Sequence, residues 1–256
     1  PRLFEENAKG AYNGHVPVTA IVSLAAVITA LLHGHDTVVM ANERSASSPN
    51  VAWPEAGMDV NHQFSKGWWA EAALRRLVHR YVAADVGYYS LLRPFSELAV
   101  LRAFATMPQF HDVFVSCNSA YRIRGDDGSR WCGDCPKCRF VFLGLAPFVE
   151  RDHLVGIFGR DLLRDASQRD GFAALLEVDG AHKPFECVGE VGEARAAMGV
   201  LAGDDAWRDA DVVRALAGAY PTGAEAGRHL DAALVARTPH AVPAGLLERV
   251  RAAVGL

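Results

Sequence analysis

No apolar run in this sequence is long enough to cross a bilayer. The longest, Val16 to Leu32, is interrupted by Pro17, Thr19, Ser23 and Thr29, so it reads as a buried core helix. There is no basic excess either. Lys and Arg number 26 against 30 Asp and Glu, a net charge of -4, which gives no general pull toward nucleic acid or anionic membrane. No signal peptide is visible and no repeat of constant period. The first residue is Pro1, not Met, and the expectation is a chain that begins inside a longer protein. Cysteine is scarce, five in 256 residues, and four of the five lie between Cys117 and Cys138. An odd count, clustered and without a secretion signal, argues against an extracellular disulfide framework and suits a reducing cytoplasm.

What is present is ordinary globular composition, 50% hydrophobic and 22% charged. The length allows one large domain, or one domain with a small appendage. Val18 to Leu32 has helical length and is stopped by Gly34. Asp36 to Ala41 reads as a buried strand. Asn42 to Ser65 is polar and mostly loop, and a loop of that length is usually functional or mobile. Trp68 to Ala84 is an amphipathic helix and Tyr88 to Leu92 a short strand. Ser96-Glu97 opens a helix ending near Met107. Asp112 to Ser116 is a second buried strand, and Phe140 to Val149 an apolar helix.

This alternation predicts an α/β fold, a parallel sheet with flanking helices. Strand ends at Asn42 and Cys117 would lie at the carboxyl edge of the sheet, where such folds bind ligands. After about Lys183 the chain becomes Ala-rich, with helical stretches at 189–202, 209–220, 223–235 and 243–254. The expected division is an α/β domain over 1–183 and a helical region over 184–256.

Cys132, Cys135 and Cys138 form two overlapping C-x-x-C steps, and Cys117 offers a fourth thiol. Soft sulfur ligands at this spacing suit tetrahedral zinc, with Gly133 and Pro136 fitting the tight turns. Four protein ligands leave no open position, so the site should be structural. Free buried cysteines, redox chemistry and an iron–sulfur cluster are the alternatives.

Polar motifs gather around the predicted strand ends. Asn13-Gly14-His15 precedes the first helix, whose N-terminus would suit a phosphate or carboxylate, or simply carries a cap. In the segment Asn42-Glu43-Arg44-Ser45, Glu43 could bind a metal or a ribose and Arg44 could clamp an anion bidentately. A solvated, salt-bridged loop is the bland reading. His62 and Lys66 sit in a segment dense in hydrogen-bonding groups, and Arg93 follows the next strand. Cys187 is either a small core residue or a thiol acid/base.

Ser116-Cys117 followed by CGDCPKC over 132–138 resembles the PP-loop ATP pyrophosphatase superfamily, especially the enzymes that make 7-cyano-7-deazaguanine. That superfamily's SGG-x-DS-type phosphate loop does not occur here and is expected to precede Pro1. The segments NGHVPVTAIVSL (13–24), NERSAS (42–47), VNHQFSKGW (60–68), SLLRPFSELA (90–99), RWCGDCPKCRFVFL (130–143) and HKPFECVGE (182–190) are similar to a narrower group. This is the MurL family of UDP-N-acetyl-α-D-muramoyl-L-alanyl-L-glutamate epimerases, and the likeness runs from about residue 10 to 200.

The resemblance implies an isomerase of peptidoglycan precursor synthesis in the cytoplasm. It would invert the terminal L-glutamate of the UDP-linked muramoyl dipeptide to D-glutamate, with ATP as cosubstrate yielding AMP and diphosphate. Its cofactors would be Mg²⁺ and structural Zn²⁺, and it would be coupled in function to an L-glutamate-adding ligase. Arg44 and Lys66 then become candidates for phosphate or carboxylate, Glu43 for Mg²⁺, and His15, His62 and Cys187 for acid and base. Asn13, His15, Glu43, Arg44, His62 and Lys66 should converge on one cleft. The competing expectations are a PP-loop ligase that adenylates a carboxylate to form an amide or nitrile, and a zinc-ribbon nucleic-acid module. The acidic charge opposes the second.

Overall fold

The computed structural model describes residues 18–121 and 130–255, together with Glu5 and Lys9. Asn13, Gly14 and His15 therefore lie outside the described residues. The fold is α/β, rich in helix, with a small parallel sheet. Helix α1 (Val18–His33) leads to β1 (Thr37–Met40). Next come a hairpin of β2 (Val51–Trp53) and β3 (Met58–Val60), helix α2 (Trp68–Tyr81), strand β4 (Gly87–Ser90) and helix α3 (Glu97–Ala105). The remaining described α-helices are α4 (Pro136–Leu145), α5 (Arg151–Phe158), α6 (Arg169–Leu176), α7 (Val191–Leu201), α8 (Asp211–Ala215), α9 (Gly223–Leu234) and α10 (Ala244–Val254).

Strand β1 pairs in parallel with β4, Thr37 opposite Gly87 through Met40 opposite Ser90. A parallel pair needs a crossover, and the hairpin and α2 supply it. Both strands run out at the same edge, so Asn42, Glu43 and Arg93 come together there. The β2–β3 hairpin is antiparallel and forms a sheet of its own. It occupies a stretch that sequence alone read as mostly loop.

Two other expectations are corrected. Asp112–Ser116 is strand-like in composition but forms a turn followed by irregular chain. It is held by rings, with Phe114 4.5 Å from Phe104 and 5.0 Å from Trp131 between centroids. Cys117 therefore follows no strand. Helix α1 is not a buried core helix. It packs Val27 and Ala30 inward, while Val18, Ile21, Val22, Ile28 and Leu32 are exposed.

The apolar interior has two parts. A small one joins α1, β1, α2 and β4 through Val27, Val38, Val78, Val86 and Tyr88. A larger one runs from Phe95 to Leu234, so buried side chains on both sides of Lys183 share it. Helices α7 and α9 cross closely in it. A Cβ on Gly199 would lie 2.1 Å from the Pro221 carbonyl oxygen, so only glycine fits that contact.

Candidate functional site

At the carboxyl edge of β1 and β4, Arg93 is the organising side chain. It is 1% exposed. Its Nε donates to Glu71 Oε2 at 3.0 Å. Nη1 donates to the Glu43 carbonyl at 2.6 Å and to Ser47 Oγ at 3.2 Å, and Nη2 to the Lys66 carbonyl. Arg93 thus holds the loops after β1 and before α2 against each other, and its guanidinium is fully engaged within the protein. Asn42 Nδ2 donates to Ser90 Oγ at 3.3 Å.

Those loops present a compact polar cluster. His62 Nε2 lies 3.3 Å from Cys187 Sγ, and Lys66 Nζ lies 3.6 Å from the same sulfur. On the other side of the ring, His62 Nδ1 lies 2.8 Å from Asn50 Oδ1, which also accepts the His62 backbone N–H at 3.1 Å. Phe185 packs on the imidazole, 4.7 Å between centroids. His62, Lys66 and Cys187, from segments far apart in sequence, are thus brought together. Asn50 is the member that sequence reasoning missed. It follows Pro49 in a polar loop and carries no motif, so only the tertiary fold brings it to His62.

Arg44 faces elsewhere. Its Nη1 donates to the carbonyls of Val235 (2.9 Å) and Pro94 (3.2 Å), and Nη2 to that of Ala233 (3.1 Å). A cation on carbonyls at the C-terminal end of α9 is electrostatically favourable. Burial and the neighbouring Arg237 hold its pKa below the usual guanidinium value. Arg44, His229 and Arg237 line a cleft of about 200 Å³ with Glu190 and Glu193.

Ser45 is buried, accepting the Glu97 backbone N–H at 3.0 Å and donating to Glu193 Oε1. Glu193 Oε2 accepts the Leu98 N–H at 2.7 Å. Burial pushes Glu193 up to about 7, against the pull of the Ser45 hydrogen bond. It pushes Glu97 to about 8, against the Lys137 ammonium 3.7 Å away. Burial lowers the pKa of Lys183.

The four clustered cysteines form a second site. Their sulfurs all lie within 4.8 Å of one another, with Cys117–Cys135 at 4.0 Å, Cys132–Cys138 at 3.8 Å and Cys135–Cys138 at 3.5 Å. Four sulfurs on a tetrahedral zinc, at about 2.3 Å each, stand about 3.8 Å apart, so the donor set fits a metal of that kind. Backbone N–H groups of Asp134 and Cys135 point at Cys132 Sγ (3.4 and 3.3 Å), and that of Cys132 at Cys117 Sγ (3.4 Å).

Cys135 is the N-cap residue of α4, Pro136 opens the helix, and Cys138 sits buried in its first turn. The hydrogen bond shared by Cys135 and Cys138 holds Cys135 down to about 4, and the same bond, with burial, drives Cys138 up. Gly133 has φ +67°, and a Cβ there would lie 2.4 Å from Arg160 Nε. Among the described residues these cysteines are the one group of three or more Cys, His, Asp or Glu able to hold a metal ion. No described helix is long and apolar enough to cross a membrane.

The MurL N-terminal domain model matches residues 1–91, and the MurL C-terminal domain model matches residues 113–231. The chain belongs to the MurL family. It is 52% identical over 243 residues to the UDP-N-acetyl-α-D-muramoyl-L-alanyl-L-glutamate epimerase of a Micromonospora species, covering 95% of this chain and 54% of that protein. Its identity to the enzyme of the same name from Salinispora tropica is 53% over 221 residues (86% and 48%). To that of Xanthomonas oryzae pv. oryzae it is 51% over 254 residues (98% and 56%). This MurL-family chain thus spans about half the length of the curated relatives it matches. No solved structure matches it. The His62–Lys66 segment falls within the N-terminal MurL match and Cys187 within the C-terminal one, so the cluster joins the two.

Proposed function

We propose that this chain serves the ATP-dependent epimerisation of the terminal L-glutamate of UDP-N-acetylmuramoyl-L-alanyl-L-glutamate to D-glutamate, in peptidoglycan precursor synthesis. The observation that carries this reading is the His62–Cys187–Lys66 cluster, in a chain about half identical to epimerases of that name. Inversion requires loss of the α-proton. Beside a free carboxylate that proton is very weakly acidic, because the carbanion would form against an existing negative charge. Adenylation of the α-carboxylate removes the charge and makes an acyl group that stabilises an enolate. The resemblance to PP-loop enzymes, which cleave ATP between the α and β phosphates, fits that first step.

In this reading His62 is the base that a neutral-pH proton transfer calls for. His15 is the candidate for the opposite face. Lys66 stands ready to receive negative charge. Glu43 would join the phosphates in holding Mg²⁺, which usually takes one or two carboxylates and several waters. Cys117, Cys132, Cys135 and Cys138 would hold a structural Zn²⁺, whose contribution is a cross-link.

The test is turnover by the full-length enzyme with ATP and Mg²⁺ in deuterated water. The product should be the D-glutamate form with one deuterium at the α-carbon, and ATP should yield AMP. ADP as product, or inversion without solvent deuterium, would sink the reading.

A further inference from the structure

The polar cluster carries more information than the proximity of its members. The His62 backbone N–H can only donate, and it donates to Asn50 Oδ1. That settles which end of the Asn50 amide faces the ring. Because the Asn50 oxygen also faces His62 Nδ1 at 2.8 Å, Nδ1 must carry the hydrogen. A neutral imidazole protonated at Nδ1 presents a bare lone pair at Nε2, and Nε2 is the atom 3.3 Å from Cys187 Sγ. The ring is therefore set to accept the thiol's proton. Lys66 Nζ, 3.6 Å from the sulfur, places a cation where negative charge appears when that proton leaves. A nucleophile facing a base, with the base oriented by a third group, is the arrangement that activates a side chain for covalent chemistry.

The same distance narrows the role of the thiol. A tetrahedral carbon does not fit between two atoms 3.3 Å apart, so His62 and Cys187 cannot take opposite faces of one α-carbon. The two act as a unit at one centre. For a thiol beside a base and an activated carboxyl group, the available task is attack on the acyl carbon.

We propose that Cys187 takes over the activated glutamyl group as a thioester, oriented by Asn50 through His62. This rests on the reading above, which supplies the acyl-adenylate. His62 Nε2 takes the Cys187 proton, a sulfur–carbon bond forms, and the carbon–oxygen bond to AMP breaks. The proton on His62 passes to the departing phosphate. The imidazole, neutral again, then stands beside an α-carbon whose acyl group bears no negative charge. After inversion, water adds to the acyl carbon, the sulfur–carbon bond breaks, and the thiol regains its proton. No oxidant or further co-reactant is needed. Asn50 is a positioning residue, acting only through the ring.

The test is acid quench of the full-length enzyme during its first turnover with ATP, Mg²⁺ and the UDP-linked L-glutamyl substrate. Mass spectrometry reads the peptide containing Cys187, while AMP and free product are timed in parallel. The expected result is AMP released ahead of product, close to one per chain, with the acyl mass on that peptide. Cys187→Ala should lose both the adduct and the early AMP. Asn50→Leu should slow the early AMP on the order of 100-fold, the scale of a lost general base. Asn50→Asp keeps the acceptor and should restore it, which a merely structural role of Asn50 does not predict. AMP appearing only in step with product, with no acyl mass on the peptide, overturns the thioester and leaves the epimerase reading standing. No AMP at all from ATP and this substrate overturns the reading beneath, and the thioester with it.

Discussion

Arg93 donates to Glu71, Ser47 and the carbonyls of Glu43 and Lys66 from a position 1% exposed. Lysine would keep the charge but not the planar fork that serves four acceptors at once. Arg93→Lys should therefore destabilise the fold by at least about 2 kcal/mol, read from urea unfolding, and should loosen the loop carrying Lys66. Sequence alone marked Arg93 as a ligand-binding candidate, because an arginine after a strand looks the same whether it meets a ligand or a buried carboxylate. Its partner Glu71 gave no signal at all, being one acidic residue in an amphipathic helix.

Glu193 makes a prediction of a different kind. Its carboxyl is held up to about 7 by burial, against an ordinary 4.5. The folded chain thus keeps a proton that the unfolded chain has released between those values. The stability it contributes is full below about 4.5 and is lost as pH rises through about 7, with a slope of at most about 1.4 kcal/mol per pH unit. Glu193→Gln should flatten that part of the profile, measured as the difference from the native protein in urea midpoints between pH 5 and 8. An unchanged slope would show that Glu193 titrates normally.

Among the elements, α4 shows how local signals succeed. Two C-x-x-C steps with Gly133 and Pro136 specify the turns, so the cysteine site was legible without knowledge of the fold, whereas the helix expected from Phe140 to Val149 runs from Pro136 to Leu145 because Pro136 opens it. Cys135→Ser should remove bound metal and lower the thermal midpoint of the whole domain, since structural zinc contributes about 10–16 kcal/mol in small peptides. Elemental analysis should give close to one zinc per chain in the native protein and far less in the variant. Full metal retention with an unchanged midpoint would refute a closed four-thiolate site. The helix opened by Ser96 was legible for the same local reason, as the Ser96 hydroxyl accepts the Ala99 N–H at 3.0 Å. Asp112–Ser116 was misread because strand formation needs a partner, which composition cannot supply. Here aromatic rings hold the segment instead.

At the scale of the molecule, the α/β alternation announced a parallel sheet, which two of the three expected strands form, and three of the four later helices fell close to their expected bounds, the stretch 209–220 giving only the short α8. What could not be read was which polar residues meet, since that depends on how the loops beyond β1 and β4 are tied to the helices that follow. Arg44 is an example: its guanidinium joins the loop after β1 to carbonyls 189 and 191 residues away.

The two candidate sites also differ in what they ask of an unfolded chain. The metal-type site closes a loop of about twenty residues, whereas the His62–Cys187 contact spans 125. Closing the longer loop costs more chain entropy. The thiol–imidazole contact should therefore be made late in folding and lost early in unfolding. In rising urea, Cys187 should become open to alkylation before the four clustered cysteines surrender their metal. A protein damaged by mild heat would then have lost the His62–Cys187 contact while its cysteine loop still looked intact, so metal content would be a poor measure of how much of a preparation keeps that contact.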